Sequence, residues 1–252
     1  MASPSPTPRV RTPEEIRAGA IAEGHQAWRA DRLEDSVFGV LDGVITAISL
    51  SVATAGVARI GHAGVFLTII AAAVAGSLSM FTGALLSGRA KADLILSERA
   101  REEREVEEIP EEERREVHDI YRNRGLTEEE TQILVRAVTS NKRLWVDTMM
   151  REELGLPPHP EAEPLTHAGT IGVFYLIGGL LPGLPYLLTS LSLFSELELS
   201  VAIGSAELAA VGILSALYSN RSWYRSVAEI LAVGLGTAAA VLLVTLALQP
   251  GI

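Results

Sequence analysis

No cysteine occurs among the 252 residues, so disulfides, thiolate metal sites and cysteine nucleophiles are all excluded. Basic charge is also short: 21 Lys and Arg stand against 31 Asp and Glu, a formal net charge of -10. That balance excludes nucleic acid as a partner, because phosphate binding needs a basic face. The opening MASPSPTPRVRTPEEIRAGA lacks the apolar core of a signal peptide. Residues 1–34 read as a leader, partly disordered, that gives way to a short amphipathic helix over 16–33. Also missing is Glu-x-x-His, the pattern that paired helices of di-iron bundles use. His118 falls two residues after Glu116 and five after Glu113, and His159 and His167 lie in or beside a proline-rich return.

What the chain does have is apolar length. It is 48% hydrophobic with mean hydropathy +0.27, Gly 22 and Pro 12, a profile of helical membrane proteins. Five stretches reach the ~20 residues that a helix needs to cross a bilayer: 37–58, 65–86, 166–191, 199–218 and 226–248. The third contains GGLLPGLPYLL, a Gly/Pro cluster expected to kink or break it. The fold class is therefore an all-α membrane protein of five transmembrane helices, with a cytosolic three-helix insert between the second and third spans. Residues 35–88 carry the first two spans, 89–164 the insert, and 165–252 the remaining three.

Orientation follows from Lys and Arg. The leader has Arg9, Arg11, Arg17, Arg29 and Arg32, the insert thirteen basic residues, and the loop before the fifth span Arg221 and Arg225. The opposite loops have only Arg59. The N-terminus and the insert are thus expected in the cytosol and the C-terminus on the far side.

The insert holds 20 acidic residues against those thirteen basic ones. A helix is expected to continue from the second span to Glu108, and Pro110 suits the first turn of the next. Glu111, Glu112 and Glu113 complement that helix's dipole, and Gly125 ends it. Thr127 to Glu130 reads as a capping box with Leu126 as a possible staple, opening one long third helix that runs to Gly155. Ile133, Leu134, Ala137 and Leu144 are its inner-face candidates.

Charge runs on helices are usually solvated faces laced by i,i+4 pairs. Arg99 with Glu103, Arg101 with Glu105, Arg104 with Glu108 and Glu111 with Arg115 fit that pattern. The other glutamates do not. Glu98, Glu102 and Glu105 share one stripe, and Glu112, Glu113 and Glu116, with Asp119 close by, share another. Like charges at this spacing repel unless a cation sits between them. Carboxylate pairs suit Fe²⁺, Mn²⁺, Mg²⁺ or Ca²⁺. Met149, Met150 and Glu153 near the end of the third helix shift the preference to a transition metal, although Met149 alone is more often core packing.

Within the spans, Asp42 is an ionisable residue in a membrane helix, which is a functional hypothesis by default. Met80, on the antiparallel second span, is expected at similar depth. Gly39, Gly43, Gly76 and Gly83 would let helices approach closely around them. Glu207 and Glu229 are either proton carriers or hydrogen-bonded groups inside the bundle.

Four stretches together resemble the vacuolar iron transporter family: DSVFGVLDGVIT, AGSLSMFTGALLS, GGLLPGLPYLL and SNRSWYRSVAEIL. The likeness runs from about Asp35 to the C-terminus. It implies a homodimeric carrier, not an enzyme, that moves Fe²⁺ and often Mn²⁺ out of the cytosol in exchange for protons, along a pathway between subunits. By the same resemblance the membrane ligands are Asp42 and Met80. Those of the insert are Glu102, Glu105, Glu113, Glu116, Met149 and Glu153. Where many members have Gly-Glu after the methionine, this chain has Gly83-Ala84, so one membrane carboxylate is missing; Glu207 or Glu229 are the candidates to replace it. Asp42, Glu207 and Glu229 are the candidates for proton coupling. Fe²⁺ is the expected substrate and bound ligand, with Mn²⁺, Zn²⁺ and Co²⁺ as further candidates, and no prosthetic group is expected. The partners are these ions, protons, the lipid bilayer and a second copy. A bacterial inner membrane suits the chain, or a vacuolar membrane in a eukaryote. The rival readings are a membrane-anchored ferritin-like di-iron oxidase and a non-transporting membrane metal sensor.

Overall fold

The computed structural model describes residues 13–55, 60–160, 164–188, 190–219 and 221–248, with side chains from residue 32 onward except that of Ala55. Arg9, Arg11 and Arg59 lie outside the described residues, and the side chains of Arg17 and Arg29 are likewise not described. The described chain is helical: α1 (Pro13–Ala55), α2 (His62–Glu108), α3 (Pro110–Asn123), α4 (Glu128–Thr139), α5 (Lys142–Glu152), α6 (Pro164–Leu180), α7 (Leu193–Ser219) and α8 (Trp223–Leu248). Two compact units emerge, residues 1–82 with 167–252, and residues 83–166.

The first unit carries the apolar helices. Five helices are long and apolar enough to cross a membrane, over Arg32–Thr54, His62–Glu108, Pro164–Leu187, Leu193–Ser219 and Trp223–Leu248. The Gly/Pro cluster acts where it stands: α6 stops at Leu180 and tightens into a 3₁₀ segment, Leu181–Leu187, with Pro182 near its start and Pro185 inside it. Proline there removes a backbone donor and clashes with the preceding turn, so the regular α ladder cannot continue.

α1 packs on α7, α8 and the 3₁₀ segment. Two glycines set its distance from α6. A Cβ on Gly39 would stand 2.5 Å from Ile171 O, and one on Gly43 only 2.2 Å from Tyr175 O. Backbone therefore meets backbone along this seam, as small residues permit between membrane helices. Gly76 does the same for the Tyr175 ring, whereas Gly83 has open space around its Cα. Val44, Ile48, Leu208 and Ala238 close one core of the unit, and Ala47, Val65, Ile69 and Tyr186 a second.

The second unit begins with the charged end of α2. Pro110 occupies the first turn of α3, where its missing N–H costs nothing, and Gly125 at φ +95° follows that helix's C-terminus. The capping box forms as its residues dictate: Thr127 N donates to Glu130 Oε2 at 2.8 Å, and Glu130 N to Thr127 Oγ1 at 3.3 Å.

One expectation fails here. The third helix of the insert is not continuous but breaks into α4 and α5 at Ser140–Asn141. Asn141 takes extended backbone angles, and its Oδ1 accepts from Leu144 N at 3.2 Å, capping α5. The break resets the helical phase, so the inner face differs from the one a single helix predicts. Ile133 and Leu144 are 56% and 46% exposed, and Ala137 is also exposed. Of the four candidates only Leu134 packs against the core, which is Ile95, Val106, Val117, Val138, Trp145, Val146, Met149 and Met150.

Candidate metal centre

The acidic segment sorts into two kinds of glutamate. The first kind is solvated and paired. Arg99 Nε meets Glu103 at 3.1 Å and, through Nη1, Asp147 on α5 at 2.7 Å. Arg115 pairs with exposed Glu112 at 3.0 Å, and Arg114, not Arg115, takes the Glu111 side chain. Exposed Asp119 meets His118 at 3.1 Å, and the hydrogen bonds to Asp119 and Glu128 push the His118 imidazole above its ordinary value. Of the four pairs that spacing predicts, Arg99–Glu103 and Arg101–Glu105 form.

The second kind is buried. Glu102 on α2 and Glu113 in the first turn of α3 are 1% and 2% exposed. Each leaves its Oε2 with no hydrogen-bond partner. A buried carboxylate without partners is costly, and the usual resolution is a proton or a bound cation. Arg101 supplies part of the compensation, reaching Glu98, Glu102 and Glu105 at 3.1, 3.2 and 3.4 Å. It is not enough. Burial first, then Glu116, Glu102, Glu105 and Glu153, push Glu113 up to about 7. Glu153 rises to about 7 as well, through burial and then Glu102, with Glu116 and Glu105 adding to it and Arg101 opposing. Glu102 is raised by its burial, against the hydrogen bond from Arg101.

These mutual effects place Glu102, Glu105, Glu113, Glu116 and Glu153 in one electrostatic neighbourhood built from α2, α3 and the C-terminal cap of α5. Glu153 is the member with the most open residue surface, although its carboxyl is partly desolvated; its N–H caps α5 on Met149 O at 3.0 Å. Met149 and Met150 are fully buried in the apolar core of this unit. Among the described residues no three His, Cys, Asp or Glu side chains converge tightly enough to hold a metal ion as they stand. The cluster is therefore an electrostatic basin whose carboxylates would have to turn inward to coordinate.

In the first unit the polar residues are scattered. Asp42 is exposed on α1, about 100° round the helix from the Gly43 seam, with no hydrogen-bonding or charged partner among the described residues. Met80 on α2 is half-buried. Glu207 on α7 is half-buried with Oε2 shut off from solvent and unpartnered. Glu229 is exposed and pairs with Arg221 at 3.3 Å.

Two pairs escape a reading of the sequence. Asp35 Oδ2 meets His167 Nδ1 at 2.7 Å, and Glu196 Oε2 meets His62 Nδ1 at 2.6 Å. α2 and α7 begin several residues before the expected spans, which brings His62 and Glu196 into their first turns. The signal available was an ionisable residue at each edge of an apolar run, too common to single out.

The sequence profile of the VIT family matches residues 33–246. Vacuolar iron transporter 2 of Oryza sativa subsp. japonica is 36% identical over 155 residues, 62% of this chain and 63% of its own length. Vacuolar iron transporter 1 of Arabidopsis thaliana is 35% identical over 156 residues, 62% of each. In both, the matched segment spans less than two thirds of the relative. Vacuolar iron transporter 1 of the same rice is 31% identical over 209 residues, 82% of each chain.

Proposed function

From the premise that this chain belongs to the VIT family, we propose that it carries Fe²⁺, and with it Mn²⁺, out of the cytosol across a membrane in exchange for protons. The relatives bear transporter names, which supports a carrier over an enzyme. The insert lies in the cytosol in this reading, on the side that the Lys and Arg count assigns to it.

Asp42 is the observation that carries the proposal. It is a carboxylate in an apolar helix, exposed on the surface of its unit and without a partner among the described residues. Lipid cannot be what covers it, because an ionised side chain facing hydrocarbon is expensive. A second copy of the chain, enclosing an aqueous path with Asp42 and Met80 on its walls, removes that expense. A carboxylate and a thioether together suit a divalent transition ion better than Mg²⁺ or Ca²⁺.

The insert acts as the collector. Glu102, Glu105, Glu113, Glu116 and Glu153 crowd one another, and Glu113 and Glu153 are pushed up to about 7, so an arriving M²⁺ relieves the repulsion and expels protons from those two. Metal gathered there passes to Asp42 and Met80. Protonation of Asp42 from the far side then weakens coordination and frees the ion.

Uptake of Fe²⁺ into proteoliposomes, with and without an imposed pH gradient, tests the reading. The gradient should accelerate uptake by the parent protein. Asp42→Ala should transport no faster than empty vesicles, and parent-like transport by that variant would remove the pathway assignment.

A further inference from the structure

His62 and Glu196 are 134 positions apart in the chain and meet at 2.6 Å. His62 opens α2, and Glu196 sits in the first turn of α7. They mark one end of the membrane helices. Ser51 Oγ, near the end of α1, lies 3.0 Å from Ser200 Oγ one turn along α7. The pair Asp35–His167 marks the other end, sixteen residues and about 24 Å back along α1.

Glu196 is completely buried, and its Oε1 has no hydrogen-bond partner among the described residues. The His62 side chain is 34% exposed, so among the described residues the imidazole connects this carboxylate to the outside. The other described surroundings are neutral. Ser51 and Ser200 are fully buried, and Tyr186 on the 3₁₀ segment is 1% exposed. The Tyr186 hydroxyl sits beside both serines and within electrostatic reach of Glu196, without meeting hydrogen-bond geometry. Glu198 on α7 is exposed, and no Lys or Arg among the described residues pairs with Glu196. The α7 N-terminus favours the carboxylate, but a buried anion still demands a positive charge or a proton.

We propose that His62 and Glu196 form a proton-binding site at this end of the membrane unit, the place where the counter-proton of transport is taken up. This rests on the metal–proton exchange described above. A proton from water adds to the imidazole lone pair at Nε2. Nδ1–H goes on donating to Glu196 Oε2, and the imidazolium and carboxylate become a neutral pair. Loss of that proton returns His62 to neutrality and leaves one uncompensated negative charge beside the buried serines and Tyr186. The pair thus changes by one charge at the joint of α2 and α7, and so ties proton occupancy to how those two helix starts hold together.

Two measurements test it. Histidine-selective nitrogen NMR on the full-length protein should show His62 gaining a proton at Nε2 as the pH is lowered, with its Nδ1 proton retained. That signal should vanish in His62→Gln and move in Glu196→Gln. A His62 that stays neutral throughout, or that titrates identically in Glu196→Gln, overturns the proposal. In proteoliposomes, Glu196→Gln should lose counter-proton flux by at least about tenfold while Mn²⁺ binding to the insert is unchanged. Parent-like proton flux in that variant also overturns it. If the parent moves metal with no protons at all, the exchange reading falls instead, and the NMR titration decides the pair by itself.

Discussion

The two units treat their carboxylates in opposite ways. The insert packs several together, buries two of them, and tolerates raised proton affinity and one overextended arginine as the consequence. The membrane unit isolates them: among the described residues Asp42 stands without a partner, while Asp35 and Glu196 each have a histidine. The difference follows from access to water. At the edge of a small helical unit, repulsion can be relieved by protons, solvent or an arriving ion, so concentration of charge is affordable and useful for capture. In an apolar bundle a second nearby carboxylate would add a penalty that no solvent relieves, so each is single or paired.

The comparison can be broken most directly at Asp42. Asp42→Asn should lower Fe²⁺ flux by at least about a hundredfold, with calorimetric Mn²⁺ binding at the insert unaltered. Retained flux would mean that the lone carboxylate is incidental. Next comes the basin. Glu102→Ala combined with Glu113→Ala should remove bound Mn²⁺ from the calorimetric stoichiometry. The metal-free double variant should also gain stability at pH 8, by about 1–3 kcal/mol, because two buried charges are gone.

A subtler effect is in the pH dependence of the insert. Glu113 and Glu153 bind protons more tightly folded than unfolded, up to about 7 against an ordinary 4.5. Their sign is therefore destabilising on the alkaline side. Metal-free protein should be most stable below about pH 4.5 as far as these groups are concerned, and should lose that stability as pH rises to about 7. Thermal unfolding at pH 5 and pH 8 reads this directly, and Mn²⁺ should recover the loss only at the higher value. The smallest effect belongs to the solvated glutamates. Glu112→Gln, which removes the exposed pair with Arg115, should change stability by no more than about 0.5 kcal/mol and leave Mn²⁺ stoichiometry untouched.

Much of this was legible from local chemistry. Apolar length located the five membrane helices, the Gly/Pro cluster located the end of α6, and Thr127 with Glu130 located a capping box. The like-charge stripes pointed to Glu102 and Glu113, the two glutamates of the insert that burial singles out. What escaped was whatever depended on helical phase or on partners distant in the chain. Val135, Val138 and Val146 continue an acceptable helical pattern across Ser140–Asn141, so the break was invisible to periodicity and the inner face was misjudged with it. The contact between His62 and Glu196 depends on where α2 and α7 start, and the sequence alone placed both starts too late.

Asn141 gains a larger meaning from this. Because its side chain restarts the helix, it acts as an indexing stop that sets the azimuth of everything on α5, Glu153 included. Substituting a strong helix former there would invite α4 and α5 to fuse into one rod. Each position of α5 would then be dialled to a new angle, and the fifth carboxylate would leave the basin without a single glutamate having been changed.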